Sequence, residues 1–212
     1  MMDAWRVTEL SEPSRRASVL HAIEAHDDGW RELDEAPIVG ASGQIADFIT
    51  APAPLRKSVW PRSVARLAGD PWAAALVAQH SLEIYAPAYR SDPEWRPFFD
   101  EMTALRTKWL AASGLGLELL ERDYSFVRIA DLLSLTFCNE WTEERTAYGF
   151  VIRWESPALI VTPDPFAGAT VPIGISAREL PNRPYRDAAD AAAAWREARV
   201  VTVSGTMKGR VD

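Results

Sequence analysis

"YSFVRIADLLSLTFCNEWTEERTAYGFVIRW", residues 124–154, is the stretch where this chain changes texture. Its first half continues a series of helical signals that lasts to about Trp141, whereas "AYGFVIRW" is short, β-branched and broken by turn residues. Outward from this boundary the two sides differ consistently. Upstream lie "WPRSVARLAGD", "PWAAALVAQHSLEIYAPAY" and "DPEWRPFFDEMTALRTKWLAAS", with Asp70-Pro71 and Asp92-Pro93 as N-terminal punctuation. Phe98, Met102, Leu105 and Trp109 recur at three- and four-residue steps and predict one apolar helix face. Downstream, "ALIVTPDPFAGATVPIGISA" and "ARVVTVSG" read as strands with prolines at their ends, and the alanine-rich "YRDAADAAAAWREA" between them reads as a helix.

Closer to the N-terminus, "PSRRASVLHAIEAHDDGW" predicts a helix from about Glu12, with Pro13 in its first turn, Val19, Leu20 and Ile23 on its apolar face, and Gly29 as its stop. Residues 36–58 carry the Gly and Pro density of a long packed loop, and loops of that length often cover sites. The expected fold class is therefore α+β: a mainly helical bundle over residues 1–145, then a small antiparallel β-sheet with one helix over 146–212. No Gly/Ser-rich linker separates the parts, so a single compact domain spanning 1–212 is expected.

Composition narrows the function classes. Hydrophobic residues make up 48% and charged residues 25%, the balance of an ordinary globular chain. A net charge of -7 argues against a large phosphate-backbone interface, so no nucleic-acid partner is expected. No run reaches the roughly 18 apolar residues of a membrane span, and the first residues lack the apolar stretch of a signal peptide. Cys138 is the one cysteine, which fits a reducing cytoplasm, and an inert buried thiol is the expectation for it. The nine tryptophans form no repeat and are expected in the core or at its boundary. G-x-S-x-G, P-loop and dinucleotide fingerprints are absent.

Four polar residues stand in apolar helical surroundings. His26 and Asp27 end the first predicted helix, His80 interrupts "ALVAQHSLEIY", and Asp131 interrupts "YSFVRIADLLSLTF". A carboxylate among apolar neighbours must be paired or hold a cation. For Asp131 the alternatives are a partner such as Arg128 or a metal; for the His26-Asp27 pair they are a solvated helix end or a metal site. Together the four predict a divalent metal site, with manganese, iron, zinc or magnesium as the candidate ions. Glu32, Asp34 and Glu35 follow the pair and are expected in a solvated acidic loop, with a general base as the alternative role.

"HAIEAHDDGWRELDEAPIV", "GQIADFITAP", "AAALVAQHSLEIY", "DLLSLTFC", "VTPDPF" and "ELPNRPYRDAADAAAA" together resemble the uncharacterised family known as domain of unknown function 3891. More distantly, the same residues resemble the HD superfamily of metal-dependent phosphohydrolases. That likeness implies an HD-like helical bundle in which His26, Asp27 and Asp131 hold a divalent ion. His80 would be a further ligand or a contact to a phosphate oxygen, with Asp27 and His80 serving the chemistry. It also implies an earlier histidine on a preceding helix, which His21 does not supply, being five residues before His26 and about 140° round the helix. The function expected from the resemblance is hydrolysis of a small phosphoester or nucleotide. The alternative is a non-catalytic ligand-binding or partner-binding module with a degenerate metal site.

Overall fold

The computed structural model describes residues 2–5 and 13–211. Six α-helices precede the sheet: α1 (Pro13–Ala25), α2 (Arg31–Glu35), α3 (Ala53–Arg66), α4 (Pro71–Tyr89), α5 (Arg96–Ser113) and α6 (Leu117–Cys138). Strands β1 (Arg145–Ala147), β2 (Phe150–Glu155), β3 (Ala158–Thr162) and β4 (Thr170–Glu179) follow, then α7 (Ala188–Glu197) and β5 (Arg199–Gly209). The α+β class and the helix-then-sheet order agree with the sequence. Among the described residues, no helix is long and apolar enough to cross a membrane.

Helix α4 sits at the centre because its residues permit it. Asp70 caps it by accepting a hydrogen bond from the Ala73 amide at 3.1 Å, and Pro71 fits its first turn. Every side chain from Trp72 to Leu82 is buried. A helix apolar on all sides is surrounded by others, and the small alanines let α1, α3, α5 and α6 approach it closely. Any polar residue on α4 is therefore delivered to the interior.

The sheet has the order β1-β2-β3-β5-β4. It is mixed and not wholly antiparallel as expected: β3 and β5 pair in parallel, with Leu159 opposite Met207, while the other pairings are antiparallel. The parallel step arises because β5 is inserted between β3 and β4 after the α7 excursion. Local alternation does not encode which non-neighbouring strands meet. Pro172 lies in β4, an edge strand, where a missing N–H is tolerated. Helix α6 covers the sheet, with Phe137 edge-on to Trp154 at 5.6 Å. One cluster of buried apolar side chains runs from Leu76 and Val127 to Ile152, Leu159 and Met207.

Other expectations need adjustment. Helix α3 starts at Ala53, inside the predicted loop, because Pro54 suits a helical first turn; the loop proper is 36–52. Gly29 is not a helix stop, since α1 ends at Ala25. It marks a close approach instead: a Cβ there would lie 1.9 Å from the Val59 carbonyl oxygen, and its amide donates to Ser63 Oγ at 2.8 Å. Glu32, Asp34 and Glu35 belong to the short helix α2, not to a loop. Cys138 is exposed and not buried as expected, on a different side of the last turn of α6 from the buried Phe137. No tryptophan is fully exposed: Trp5, Trp60, Trp72, Trp95 and Trp154 are buried and the rest half-buried.

Candidate metal centre

The predicted polar residues converge. His26 comes from the turn after α1, His80 from the centre of α4 and Asp131 from the middle of α6, and one ligand atom from each lies within 4.8 Å of the others. His26 Nε2 is 3.8 Å from Asp131 Oδ1, and His80 Nε2 is 3.9 Å from Asp131 Oδ2. The two imidazole rings meet edge to face at 5.2 Å. Asp27 stands outside this group of three. Its side chain is 60% exposed, with Oδ2 3.3 Å from His26 Nε2. His21 is elsewhere, paired with Asp70 at 3.0 Å.

The backbone orients the rings. His26 Nδ1 donates to the Ile23 carbonyl at 2.8 Å, which leaves Nε2 as the atom facing the carboxylates. His80 Nδ1 lies 3.4 Å from the Tyr124 hydroxyl. In the tautomer protonated at Nδ1 the ring donates to that oxygen, and the Nε2 lone pair is directed toward Asp131. Trp60 packs edge-on against the same ring at 5.6 Å.

Electrostatics separate the two histidines. Burial opposes a charge on His26, but the hydrogen bonds and charges of Asp131 and Asp27 outweigh it and raise the imidazole to about 10. His80 is lowered to about 4, mainly by burial, with His26 adding to the effect against the pull of Asp131. Burial works to raise Asp131, but its hydrogen bond to His26 and the charges of His80, His26 and Arg128 hold it below the usual carboxylate range. Arg128 Nη1 donates to Asp131 Oδ2 at 2.5 Å, so the partner named from sequence is present.

Two imidazoles and a carboxylate are a donor set that zinc, iron and manganese accept more readily than magnesium, which prefers oxygen. The residues fit such an ion. Metal bonds of about 2.1 Å place ligand atoms roughly 3.0–3.4 Å apart, so the 3.8 and 3.9 Å separations to Asp131 would shorten by roughly half an ångström on binding.

His80 and Asp131 of the cluster, with Asp27 beside them, line a cavity of about 620 Å³. The 36–52 loop forms one wall through Ile38, Ile45, Phe48 and Ile49, as its length suggested, and Trp195 of α7 closes part of another. The loop is tied to the C-terminal part: the Tyr185 amide donates to the Gly43 carbonyl at 2.7 Å, and Gly43 has φ +77°. Asp34 also lines the cavity, its carboxyl raised by burial and by Asp27 and Glu35.

Sequence reading missed Tyr124, Trp60 and Arg56 at this site. Tyr124, Arg128 and Asp131 follow i, i+4, i+7 spacing on α6, a signal that a search outward from Asp131 would have found. Arg56 was hidden by its placement in the predicted loop.

The family described as "Protein of unknown function (DUF3891)" matches residues 1–182. The chain belongs to this family. The match takes in all three converging residues and the loop that walls the cavity. No curated protein and no solved structure matches the chain.

Proposed function

We propose that the chain is a metal-dependent hydrolase acting on a small phosphoester or nucleotide, in the manner of the HD-type phosphohydrolases it resembles. The observation that carries this reading is the convergence of His26, His80 and Asp131, two of which, His80 and Asp131, line a cavity large enough for a small molecule. A bound divalent ion supplies Lewis-acid polarisation of the phosphoryl oxygen and a more acidic water. His26, His80 and Asp131 hold it, and Asp27 is an outer ligand or the acceptor of the attacking water's proton. Asp27's solvent access and its 3.3 Å approach to His26 Nε2 support that role. Arg128 donates to Oδ2 of Asp131, the oxygen that faces His80, and fixes the orientation of the carboxylate beside the imidazoles.

One observation favours a second reading, a non-catalytic ligand-binding module. Asp131 already has a cationic partner in Arg128, so its burial does not require a metal. Elemental analysis of the purified chain and the His26→Gln variant, with release of phosphate from p-nitrophenyl phosphate, separates the readings. The hydrolase reading expects about one metal per chain and metal-dependent turnover in the parent only. Absence of metal after reconstitution with manganese, iron and zinc overturns it in favour of the binding module.

A further inference from the structure

The cavity above the cluster is built for more than a phosphate. At about 620 Å³ it has the size of a site for a drug-sized molecule. Trp30, Phe48, Ile49, Ile84, Leu135 and Trp195 all line it. Phe48 and Ile49 are also exposed, so apolar surface continues to solvent at this loop. Such walls gain from contact with a hydrocarbon or aromatic body, not with a hydrated polar one.

The charges lining the cavity are equally selective. Among the described residues its carboxylates are Asp27, Asp34, Asp47 and Asp131, and its guanidinium groups are those of Arg56 and Arg128. Arg128 is committed to Asp131. Arg56 lies over the rings of Tyr89 and Trp95 at 5.4 and 5.5 Å, and its Nη1 donates to the Tyr89 hydroxyl at 3.3 Å. Its Nε is buried with no hydrogen-bond acceptor. Both guanidiniums are thus already engaged by side chains of the protein itself. A polyphosphate needs several cations or a loop of backbone amides, whereas here carboxylates outnumber guanidiniums and the sequence has no glycine-rich phosphate loop.

We infer that this cavity takes a substrate with a bulky apolar body, aromatic or branched aliphatic, bearing a single phosphoryl group, and that it rejects nucleoside polyphosphates; the metal end of this assignment rests on the hydrolase reading. The apolar body fills the space lined by Phe48, Ile49, Ile84, Leu135 and Trp195, and the phosphoryl group lies toward His80 and Asp131.

Calorimetric titration with three non-hydrolysable probes tests this: naphthylmethylphosphonate, methylphosphonate and β,γ-methylene-ATP, each against the full chain with and without Mn²⁺. The naphthyl probe is expected to bind at least tenfold more tightly than either of the others. Phe48→Ala combined with Ile49→Ala, both at exposed positions, is expected to weaken it about tenfold, the loss expected for one apolar side-chain contact. Equal or tighter binding of the ATP analogue, no binding of the naphthyl probe, or no effect of the double substitution overturns the inference. Mn²⁺ titrated alone reads the hydrolase proposal separately: its failure sinks that proposal, while the ranking of probes in metal-free protein still decides the cavity's preference.

Discussion

Helix α6 buries two aspartates eight residues apart, about 12 Å along its axis, and each has an arginine beside it. Asp123 is fully buried: Oδ2 accepts from Arg15 Nε at 2.8 Å and from Trp72 Nε1 at 3.0 Å, and Arg15 Nη2 reaches Oδ1 at 3.5 Å. Asp131 gives Oδ2 to Arg128, while Oδ1 faces His26 Nε2 at 3.8 Å beside an open cavity. A carboxylate whose oxygens are both occupied by donors ties elements together. One that shares an edge with two imidazoles and reaches solvent-accessible space can exchange partners, which is what a site requires.

The largest expected effect would break the comparison on the side of stability. Asp123→Ala leaves Arg15 buried without its carboxylate and should lower unfolding free energy by about 3–5 kcal/mol, read by urea denaturation, with metal binding per folded chain unchanged. Asp131→Asn is the mirror image. It should weaken Mn²⁺ binding at least a hundredfold, about 2.7 kcal/mol, and cost less stability than Asp123→Ala, because Arg128 is part-exposed and can turn to water and His26 can give up its proton. If both variants lose stability equally and neither changes metal affinity, the two aspartates are the same kind of structural pair.

Gly29→Ala sharpens the comparison by disturbing how the His26 turn seats on α3. Its Cβ would meet Val59 backbone, so a loss of about 1–3 kcal/mol is expected from overpacking, read as a lowered Tm. pH supplies a further effect in the metal-free chain. His26 is raised from 6.5 to about 10, so its contribution is fully present below pH 6.5 and lost as pH rises toward 10. His80 is lowered to about 4, so its contribution is present above pH 6.5 and lost as pH falls toward 4. The pair's combined contribution therefore peaks near pH 6.5, and His26→Gln should flatten the alkaline limb of stability against pH and shrink the acid limb, because the charge on His26 helps to lower His80.

Much of this was legible before any coordinates. The Asp70 cap, the continuous apolar burial of α4 and the isolation of His80 within it are local signals, and they deliver His80 to the interior. Asp131 stood out for the same reason. Asp123 did not, although it is the more deeply buried, because charged neighbours in "LERDYS" make it read as surface; its partners Arg15 and Trp72 are 108 and 51 residues away. The parallel pairing of β3 with β5 and the role of Arg56 were illegible for a related reason. Both depend on which distant segments meet, and neither leaves a mark in local periodicity. Gly29 was singled out correctly for the wrong cause, since a close approach and a helix stop call for the same residue.

The most direct test is a calorimetric titration of Mn²⁺ into the parent chain, Asp131→Asn and Asp123→Asn, each confirmed folded by circular dichroism. One equivalent bound by the parent and by Asp123→Asn, with binding lost in Asp131→Asn, is the predicted result. Equal binding by all three, or none by the parent, would contradict a metal centre at His26, His80 and Asp131.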